Sequence, residues 1–493
     1  YVLWPMAAEA SLVSRVQASE AFLQSGHDLG LRHLLTLFSP EILGTPLDGS
    51  YAGSELWEDV AYFGLVPLAL AGAGVGLAWR RPEVRFLAVG FALSLLLALD
   101  SPIVRLAYAV VPGLRLFRLP GRILFVTAFF GVTLAGVGLH ELRERLSRRS
   151  HRGAAWVSVA LFAIMAGEGV AYAHRYLDTA PASFVRPDTD LGQFLSADRS
   201  TFRVAPVGRT AVSYGSAAAM GLALVTGYEP YNLSRYQQYF RLLQSGADGG
   251  NEAAVWTDLH QVERWDLLDA LNVKYLLSSH PLTLPADRFE FVQRFERQPV
   301  YVLYKGVRQT DVWLYRNLRA RTRAYFVEKV AVVPNHGAAL AMLAKSSLDG
   351  LAIVEEMSFA GHLGVPSPRD RARVAKAAGG FVEVDTLSET ERYLVVSESW
   401  HPGWRGFLDG KEIPLHIADV TLLGASIPAG RHHLTLMFRP LHFSAAIATS
   451  LVALGLFLLG IMRWIQKGLR ERRRGEDEPL AKAIAQERTV DAL

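Results

Sequence analysis

The chain has 493 residues, and its 51 lysines and arginines against 47 aspartates and glutamates leave a net charge of only +4. Such a small, dispersed excess does not indicate a nucleic-acid partner, which a concentrated basic face would. The chain contains no cysteine, which excludes disulfides, thiolate nucleophiles and cysteine-based metal sites within it.

The composition predicts a mixture of membrane and soluble structure. Hydrophobic residues make up 51% of the chain and the mean hydropathy is +0.18, which is high for a soluble protein and low for one lying wholly in the membrane. The chain begins at Tyr1 with neither a methionine nor a signal-peptide pattern. We therefore expect it to be a piece of a longer protein whose earlier part is missing, with residues 1–59 as an outer loop region.

Five apolar stretches have the character of membrane-spanning helices, which need about 20 mostly apolar residues. Four of them precede residue 173 with little polar sequence between them, which favours membrane helices over buried core helices. The predicted spans are residues 60–79, 84–99, 123–139, 154–172 and 443–465. Small residues recur within them, as close helix packing in lipid favours; they include Gly72, Gly74, Gly76, Gly131, Gly136 and Gly138.

Basic residues between the spans predict the orientation. Alternating spans place three basic segments on one side, and lysine and arginine favour the cytoplasmic side. Residues 1–59, 100–122 and 173–442 are then expected to face outward, and the tail 466–493 is expected to be cytoplasmic. The basic residues are Arg80, Arg81 and Arg85, then Arg143, Arg145, Arg148, Arg149 and Arg152, then Arg463, Lys467, Arg470, Arg472, Arg473 and Arg474.

The long outer segment has the turn chemistry and alternation of a folded domain. We expect a polytopic α-helical membrane protein with a large extracytoplasmic domain, α/β over residues 174–305 and β-rich, sandwich-like over residues 306–442. Asp409-Gly410 predicts a type I′ hairpin turn, and residues 428–430 a second turn. The segments "YNLSRYQQYFRLLQSG" and "RWDLLDALN" predict helices, and "VKYLLSS", "PVYVLYKG" and "RYLVVSES" predict strands.

Three arginines precede the third span in "RLFRLPGR", on the expected outer side and against the usual charge bias. Two interpretations of Arg115, Arg118 and Arg122 are open. They anchor the span by pairing with lipid headgroups, or they clamp the phosphate of a lipid-linked donor. Arginine suits the second role because its planar guanidinium donates two parallel hydrogen bonds to phosphate oxygens. These three residues form the predicted lipid-phosphate site.

The acidic residues before the first span are weak candidates for a catalytic base. Glu55, Glu58 and Asp59 lie on the expected outer side, where a carboxylate can take the proton of an acceptor hydroxyl. The alternative is a solvated acidic turn or a helix cap, because carboxylates favour helix starts. Asp100, after the second span, is expected to be a cap.

Glu168 lies inside the fourth predicted span, in its outer half. An ionisable group in lipid is costly, which makes it a functional candidate by default. The structural alternative is that it pairs with an arginine, for which Arg122 lies at a suitable depth, or that its side chain snorkels to the interface. The sequence does not separate the functional from the structural interpretation.

The histidines form no metal-binding pattern, so no metal site is predicted. His432 and His433 are adjacent, and in a strand they point to opposite faces. Trp400 and Trp404 have two interpretations, as stacking platforms for sugar rings or as core residues of the sandwich.

An ordered set of segments resembles the bacterial membrane proteins called the YfhO family, from about residue 30 to residue 465. The set begins with "HLLTLFSPEILGTPLDGSYAGSELWEDVAYFGLVPL" and "LFRLPGR". It continues with "VTGYEPYNLSRYQQYF" and "LLDALNVKYLLSS". It ends with "SESWHPGWRGFLDGKEIPLHIADVTLLGASIPAGRHHLTLMFRP" before the last span.

The resemblance implies a multi-pass glycosyltransferase of the C type in the bacterial cytoplasmic membrane. Such enzymes use polyprenyl-phosphate-linked sugars on the outer side, and family members are linked to glycosylation of cell-envelope polymers. The implied partners are membrane lipids, a polyprenyl-phosphate sugar and an envelope-polymer acceptor, with no cofactor predicted. The catalytic carboxylate of these enzymes lies in the first outer loop, which this chain is expected to lack, so the catalytic residue is unknown.

Two other functions are open. One is a non-catalytic assembly or binding component for envelope polysaccharide. The other is a transporter, which ranks last because the chain has no inverted repeat and only one clear charge within a span.

Overall fold

The computed structural model describes residues 10–13, 29–52, 56–111, 120–177, 189–208, 211–229, 232–247, 256–302, 306–355 and 361–490. The first half is helical. Its helices are α1 (Leu56–Asp59), α2 (Leu65–Ala78), α3 (Pro82–Ala98), α4 (Pro102–Val110), α5 (Leu124–Ser147) and α6 (His151–Tyr176). The later helices are α7 (Asp190–Ala197), α8 (Tyr214–Ala219), α9 (Ser234–Ser245), α10 (Trp265–Ala270), α11 (His336–Lys345) and α12 (Phe443–Val490).

Three described helices are long and apolar enough to cross a membrane: α5 counted from Gly121, α6, and the Phe443–Gly468 part of α12. The pair α3 and α4 also qualifies as one span with a 90° bend. The structure thus contains three such helices, or four with the bent pair, where the sequence predicts five spans. The helix within the first predicted span, α2, has only 14 residues.

Local backbone chemistry explains both differences from the predicted spans. Gly64 precedes α2 with φ of 110°, a conformation that only glycine adopts readily, so the helix cannot extend backward. The bend before α4 lies at Ser101, which is extended as residues before proline usually are. Pro102 then begins α4, because proline is tolerated in the first turn of a helix. At the other end of the chain, α12 continues as helix to Val490, well beyond the predicted span.

The helices α2 and α5 pack with their backbones almost in contact. A Cβ added at Gly138 would lie 1.9 Å from the carbonyl oxygen of Leu70, and one at Gly74 would lie 2.6 Å from that of Leu134. Gly136 has open space around its Cβ position. Of the small residues that the sequence indicates as packing positions, Gly74, Gly131 and Gly138 lie at close contacts, whereas Gly72, Gly76 and Gly136 do not.

The second half is built from sheets and is called here the sheet region (residues 189–438). Its strands are β1 (Arg203–Val207), β2 (Gly227–Tyr228), β3 (Trp256–Thr257), β4 (Val273–Ser278), β5 (Phe289–Val302), β6 (Gly306–Asn317), β7 (Ala324–Phe326), β8 (Lys329–Val333), β9 (Leu351–Glu355), β10 (Gly361–His362), β11 (Arg371–Ala378), β12 (Phe381–Ser388), β13 (Arg392–Ser399), β14 (Trp404–Leu408), β15 (Lys411–Ile413), β16 (His416–Ala418), β17 (Leu422–Ile427) and β18 (Gly430–Phe438).

These strands form three larger sheets. The first sheet has the order β1-β4-β6-β5. A seven-stranded sheet, β10-β8-β9-β16-β17-β13-β7, packs on a five-stranded one, β11-β12-β18-β14-β15.

The sandwich predicted for the β-rich part is present, with one parallel pair, β8 and β9, among antiparallel ones. Asp409 and Gly410 both have positive φ between β14 and β15, as a type I′ turn requires. The predicted boundary between residues 305 and 306 needs correction. It falls inside the β5–β6 hairpin, because β6 pairs with β4 and β5 in the first sheet, and the sandwich begins with β7.

A buried aspartate joins two strands of the seven-stranded sheet. Asp419 is fully buried; its backbone N–H donates to the carbonyl of Ile353 at 2.7 Å, and its Oδ1 accepts from the Ile353 N–H at 2.8 Å. Oδ2 has no partner among the described residues. Burial away from water raises the pKa of Asp419 to about 7.

The close packing of α2 and α5 gives a first prediction. We expect Gly138→Ala to lower the unfolding midpoint of the purified protein in detergent, because the new methyl group forces the two helices apart at a cost of about 1–3 kcal/mol. Gly136→Ala, two residues away, is the matched control and should leave the midpoint unchanged. Equal midpoints for the two variants would contradict the packing.

The buried carboxyl gives a second prediction. The folded state holds the Asp419 proton to about pH 7, whereas the unfolded chain releases it near 3.8. The stabilisation from this group is therefore full at low pH and is lost as pH rises toward 7, by up to roughly 4 kcal/mol. We expect Asp419→Asn to gain stability relative to the unmodified protein as the pH rises from about 4 to about 7, and to keep that gain above pH 7. Denaturation midpoints measured in parallel would contradict this if their difference did not change with pH.

Candidate functional site

The candidate site lies where the helices meet the sheet region. The starts of α2 and α5 and the end of α6 lie at one end of the helices, which we call the junction end. A 3₁₀ turn, Pro120–Ile123, leads into α5 there. A Cβ added at Gly121 in this turn would lie 2.6 Å from the backbone oxygen of Glu58, so only glycine allows the turn to approach α1 so closely.

This approach brings Arg122 onto Glu58. The Arg122 Nε and Nη2 atoms donate to Glu58 Oε1 at 2.8 and 2.7 Å. Glu58 is 10% exposed and Arg122 54% exposed, so a buried carboxylate orients a guanidinium that is open to its surroundings. The second carboxylate oxygen, Oε2, is buried and has no partner among the described residues.

Tyr228 of β2 completes the site from the sheet region. It lies close enough to Arg122 to interact electrostatically with the guanidinium, and the residue is 46% exposed. The site therefore combines an oriented guanidinium, a neighbouring carboxylate and a phenol at the junction end. Such a set can bind an oxyanion through the remaining guanidinium donors, since arginine has five N–H groups and Glu58 takes two.

Asp59, next to Glu58, is placed differently. It is 2% exposed, and its Oδ2 accepts from the hydroxyl of Tyr51 at 3.1 Å. A carboxylate that is buried and already hydrogen-bonded is poorly placed to take a proton from an incoming hydroxyl. Asp100 is exposed at the junction end, where it pairs with Arg105 at 3.4 Å.

Glu168 does not pair with Arg122, so that expected contact is wrong. Its Oε1 accepts from the hydroxyl of Tyr62 and from the backbone N–H of Leu65 at 3.0 Å. The carboxylate therefore stabilises the N-terminal turn of α2, whose first N–H groups have no partner within the helix. Its Oε2 is buried without a partner among the described residues.

The remaining predicted site residues of the helical half lie outside the described residues. Arg115 and Arg118 fall in 112–119, and Glu55 falls in 53–55.

The two tryptophans occupy separate places on the sandwich. Both are partly buried against its core, so the core interpretation describes part of each side chain. Trp400 lies beneath the guanidinium of Arg235, whose Cζ is 5.6 Å from the ring centroid. Trp400 and Trp404 line two separate cavities of the sheet region.

Each strand histidine has its own carboxylate partner. His432 Nδ1 lies 2.6 Å from Asp409 Oδ2, and His433 Nδ1 lies 2.8 Å from Asp385 Oδ1. These hydrogen bonds raise the pKa of both histidines.

Two contacts of the predicted site residues were not anticipated from the sequence, that of Tyr228 with Arg122 and that of Tyr62 with Glu168. Tyr228 lies in "VTGYEPYN", one of the segments that carry the family resemblance, but nothing local indicates that it meets Arg122. Tyr62 lies in an apolar run, where its hydroxyl is the only hint of a polar partner.

Comparisons with protein-family models, with curated proteins and with solved structures find no match for this chain.

Proposed function

We propose that this chain belongs to a membrane-embedded glycosyltransferase of the C type, as its resemblance to the YfhO family implies. The proposed enzyme takes a sugar from a polyprenyl-phosphate donor on the outer face of the bacterial cytoplasmic membrane and transfers it to an envelope polymer. The observation that carries the proposal is the exposed guanidinium of Arg122, held by the buried carboxylate of Glu58 at the end of a membrane-length helix.

The charge distribution supports placing the junction end on the outer face. Basic residues concentrate at the opposite end of the helices, where Arg80 and Arg81 follow α2 and Arg148 and Arg149 follow α5. Such residues favour the cytoplasmic side. A polyprenyl phosphate places its phosphate at the membrane surface, and Arg122, in the turn that leads into α5, is proposed to lie at that depth.

The proposed roles follow from the contacts. Arg122 binds the donor phosphate through its unused N–H donors, and Glu58 positions the guanidinium. Glu58 is also the better of the two candidates for the base, because its Oε2 has no partner among the described residues, whereas Asp59 accepts from Tyr51.

A non-catalytic binding component for envelope polysaccharide is the second candidate. It is favoured by one observation: the Glu58 side chain is only 10% exposed and Asp59 only 2% exposed, and both are already hydrogen-bonded. In that case the Arg122 site would hold a lipid phosphate without chemistry.

Orientation gives a third prediction. Reporters fused after Arg149 or Lys467 should be cytoplasmic, and one fused at Gly246, at the end of α9, should be external. Paired alkaline phosphatase and fluorescent-protein fusions in a bacterial host measure this directly. A cytoplasmic reporter at Gly246 would reverse the orientation and remove the outer phosphate site.

The phosphate clamp gives a fourth prediction. In Arg122→Lys, we expect binding of a synthetic polyprenyl phosphate to weaken about ten- to a hundredfold, because losing a charge-assisted hydrogen bond costs about 1.5–3 kcal/mol. Membrane insertion should be normal, since headgroup attraction depends mainly on charge. Sugar transfer by the complete protein should fall in parallel.

The matched control is Arg105→Lys, at the same end of the helices and equally open to its surroundings but outside the site. It should bind the phosphate normally. Arg115→Lys and Arg118→Lys belong in the same series. Full affinity in Arg122→Lys would establish that this arginine is a headgroup anchor.

A further inference from the structure

The sheet region contains a cleft of about 520 Å³ that the phosphate site does not use. The cleft lies between the segments around β1 and the edge of the five-stranded sheet. Two other cavities have volumes of about 220 and 240 Å³. Only the largest of the three falls within the roughly 300–1,000 Å³ that small-molecule sites occupy.

Trp404 lines this cleft and is held in place on its other sides. Its indole Nε1–H donates to the carbonyl oxygen of Ser399 at 3.1 Å, and its ring lies 5.4 Å from that of Phe438. The cleft therefore has a rigid aromatic wall. A large apolar ring of this kind packs well against the C–H face of a sugar ring, and its position is fixed before a ligand arrives.

The polar groups of the cleft are also fixed. Arg323 donates through Nε to Glu398 Oε1 at 2.9 Å, and Asp198 accepts from Lys274 at 2.5 Å. Each lining carboxylate thus has a cationic partner. The charged residues that line the cleft are two carboxylates and one guanidinium, so the lining offers no surplus positive charge for a phosphate. The lining carboxylates and guanidinium lie in fixed positions beside serine and threonine residues. Such groups can accept and donate hydrogen bonds to a neutral ligand that has many hydroxyl groups.

We propose that this cleft binds a neutral saccharide of one or two sugar rings, with Trp404 as its stacking platform. The saccharide belongs to the polymer on which the protein acts or which it holds. The inference is independent of the phosphate site, since it holds equally for an enzyme and for a non-catalytic binding component.

The test uses the full chain in nanodiscs. The first probe is an array of neutral bacterial envelope oligosaccharides, followed by fluorescence titration with the best-binding disaccharide. We expect Trp404→Ala to weaken binding at least about tenfold. Ala378→Trp should abolish it, because Ala378 is an exposed lining residue and a bulky side chain there fills the cleft without disturbing the core.

Trp400→Ala is the matched control. It removes a tryptophan that packs on the same core but lines another cavity, so it should lose similar stability and keep saccharide binding. Arg122→Lys should also bind normally, which separates this result from failure of the phosphate clamp. The proposal is overturned if the array shows no saccharide binding, or if Trp404→Ala and Ala378→Trp bind as tightly as the unmodified protein.

Discussion

The contact between Gly121 and the backbone of Glu58 sets the geometry of the junction end. It places the turn before α5 directly against α1, and the ion pair between Arg122 and Glu58 follows from that approach. Leu29, which belongs to a small apolar cluster with Ala61 and Leu124, lies 3.4 Å from the Cβ position of Gly121 in the same turn. The carboxylate therefore lies at the border of an apolar environment, where its attraction for a cation is stronger than in water. This is why an arginine with half its side chain exposed can still have a defined orientation.

At the junction end, carboxylate side chains bond to a helix backbone and to neighbouring side chains. The N-terminal turn of α2 receives Glu168 from α6, and Glu41 pairs with Arg175 and accepts from Tyr176. These carboxylates have structural roles, as hydrogen-bond acceptors and as an ion-pair partner. The structural role of Glu168 lowers its standing as a functional candidate, whereas the guanidinium of Arg122 is 54% exposed and open to a ligand.

Features set by neighbouring residues were predictable from the sequence. The helix α9, the strand β4 and the Asp409-Gly410 turn follow from local periodicity and turn chemistry, and the structure confirms them. The predicted boundary between residues 305 and 306 is wrong because strand pairing is non-local. The sequence of an apolar strand does not indicate which of two sheets the strand joins. The pairing of Glu168 failed for a related reason. Depth within a span does not determine which helix an ionisable side chain faces.

The candidate site was predictable only in part. An arginine before a span suggests a phosphate ligand by its chemistry, but its partner Glu58 lies 64 residues away in sequence. Tyr228 comes from a different half of the chain. Contacts of this kind arise from tertiary packing, so the residue type could be predicted from local sequence, whereas its partners could not.

A buried ionic cluster connects the parts of the sheet region around the saccharide cleft. Arg203 of β1 donates to the hydroxyl and carbonyl of Ser397 on β13, while Glu398 lies between Arg203 and Arg323. Burying these charges costs desolvation energy, so the cluster is weak evidence for stability. Its effect is geometric. Successive residues of β13 point to opposite faces of the sheet. Ser397 therefore lines the cavity of about 220 Å³, and Glu398 lines the cleft. The guanidiniums of Arg203 and Arg323 hold residues on both faces of β13 in place. The first sheet and the sandwich therefore keep the cleft open between them, and the site exists before any ligand binds.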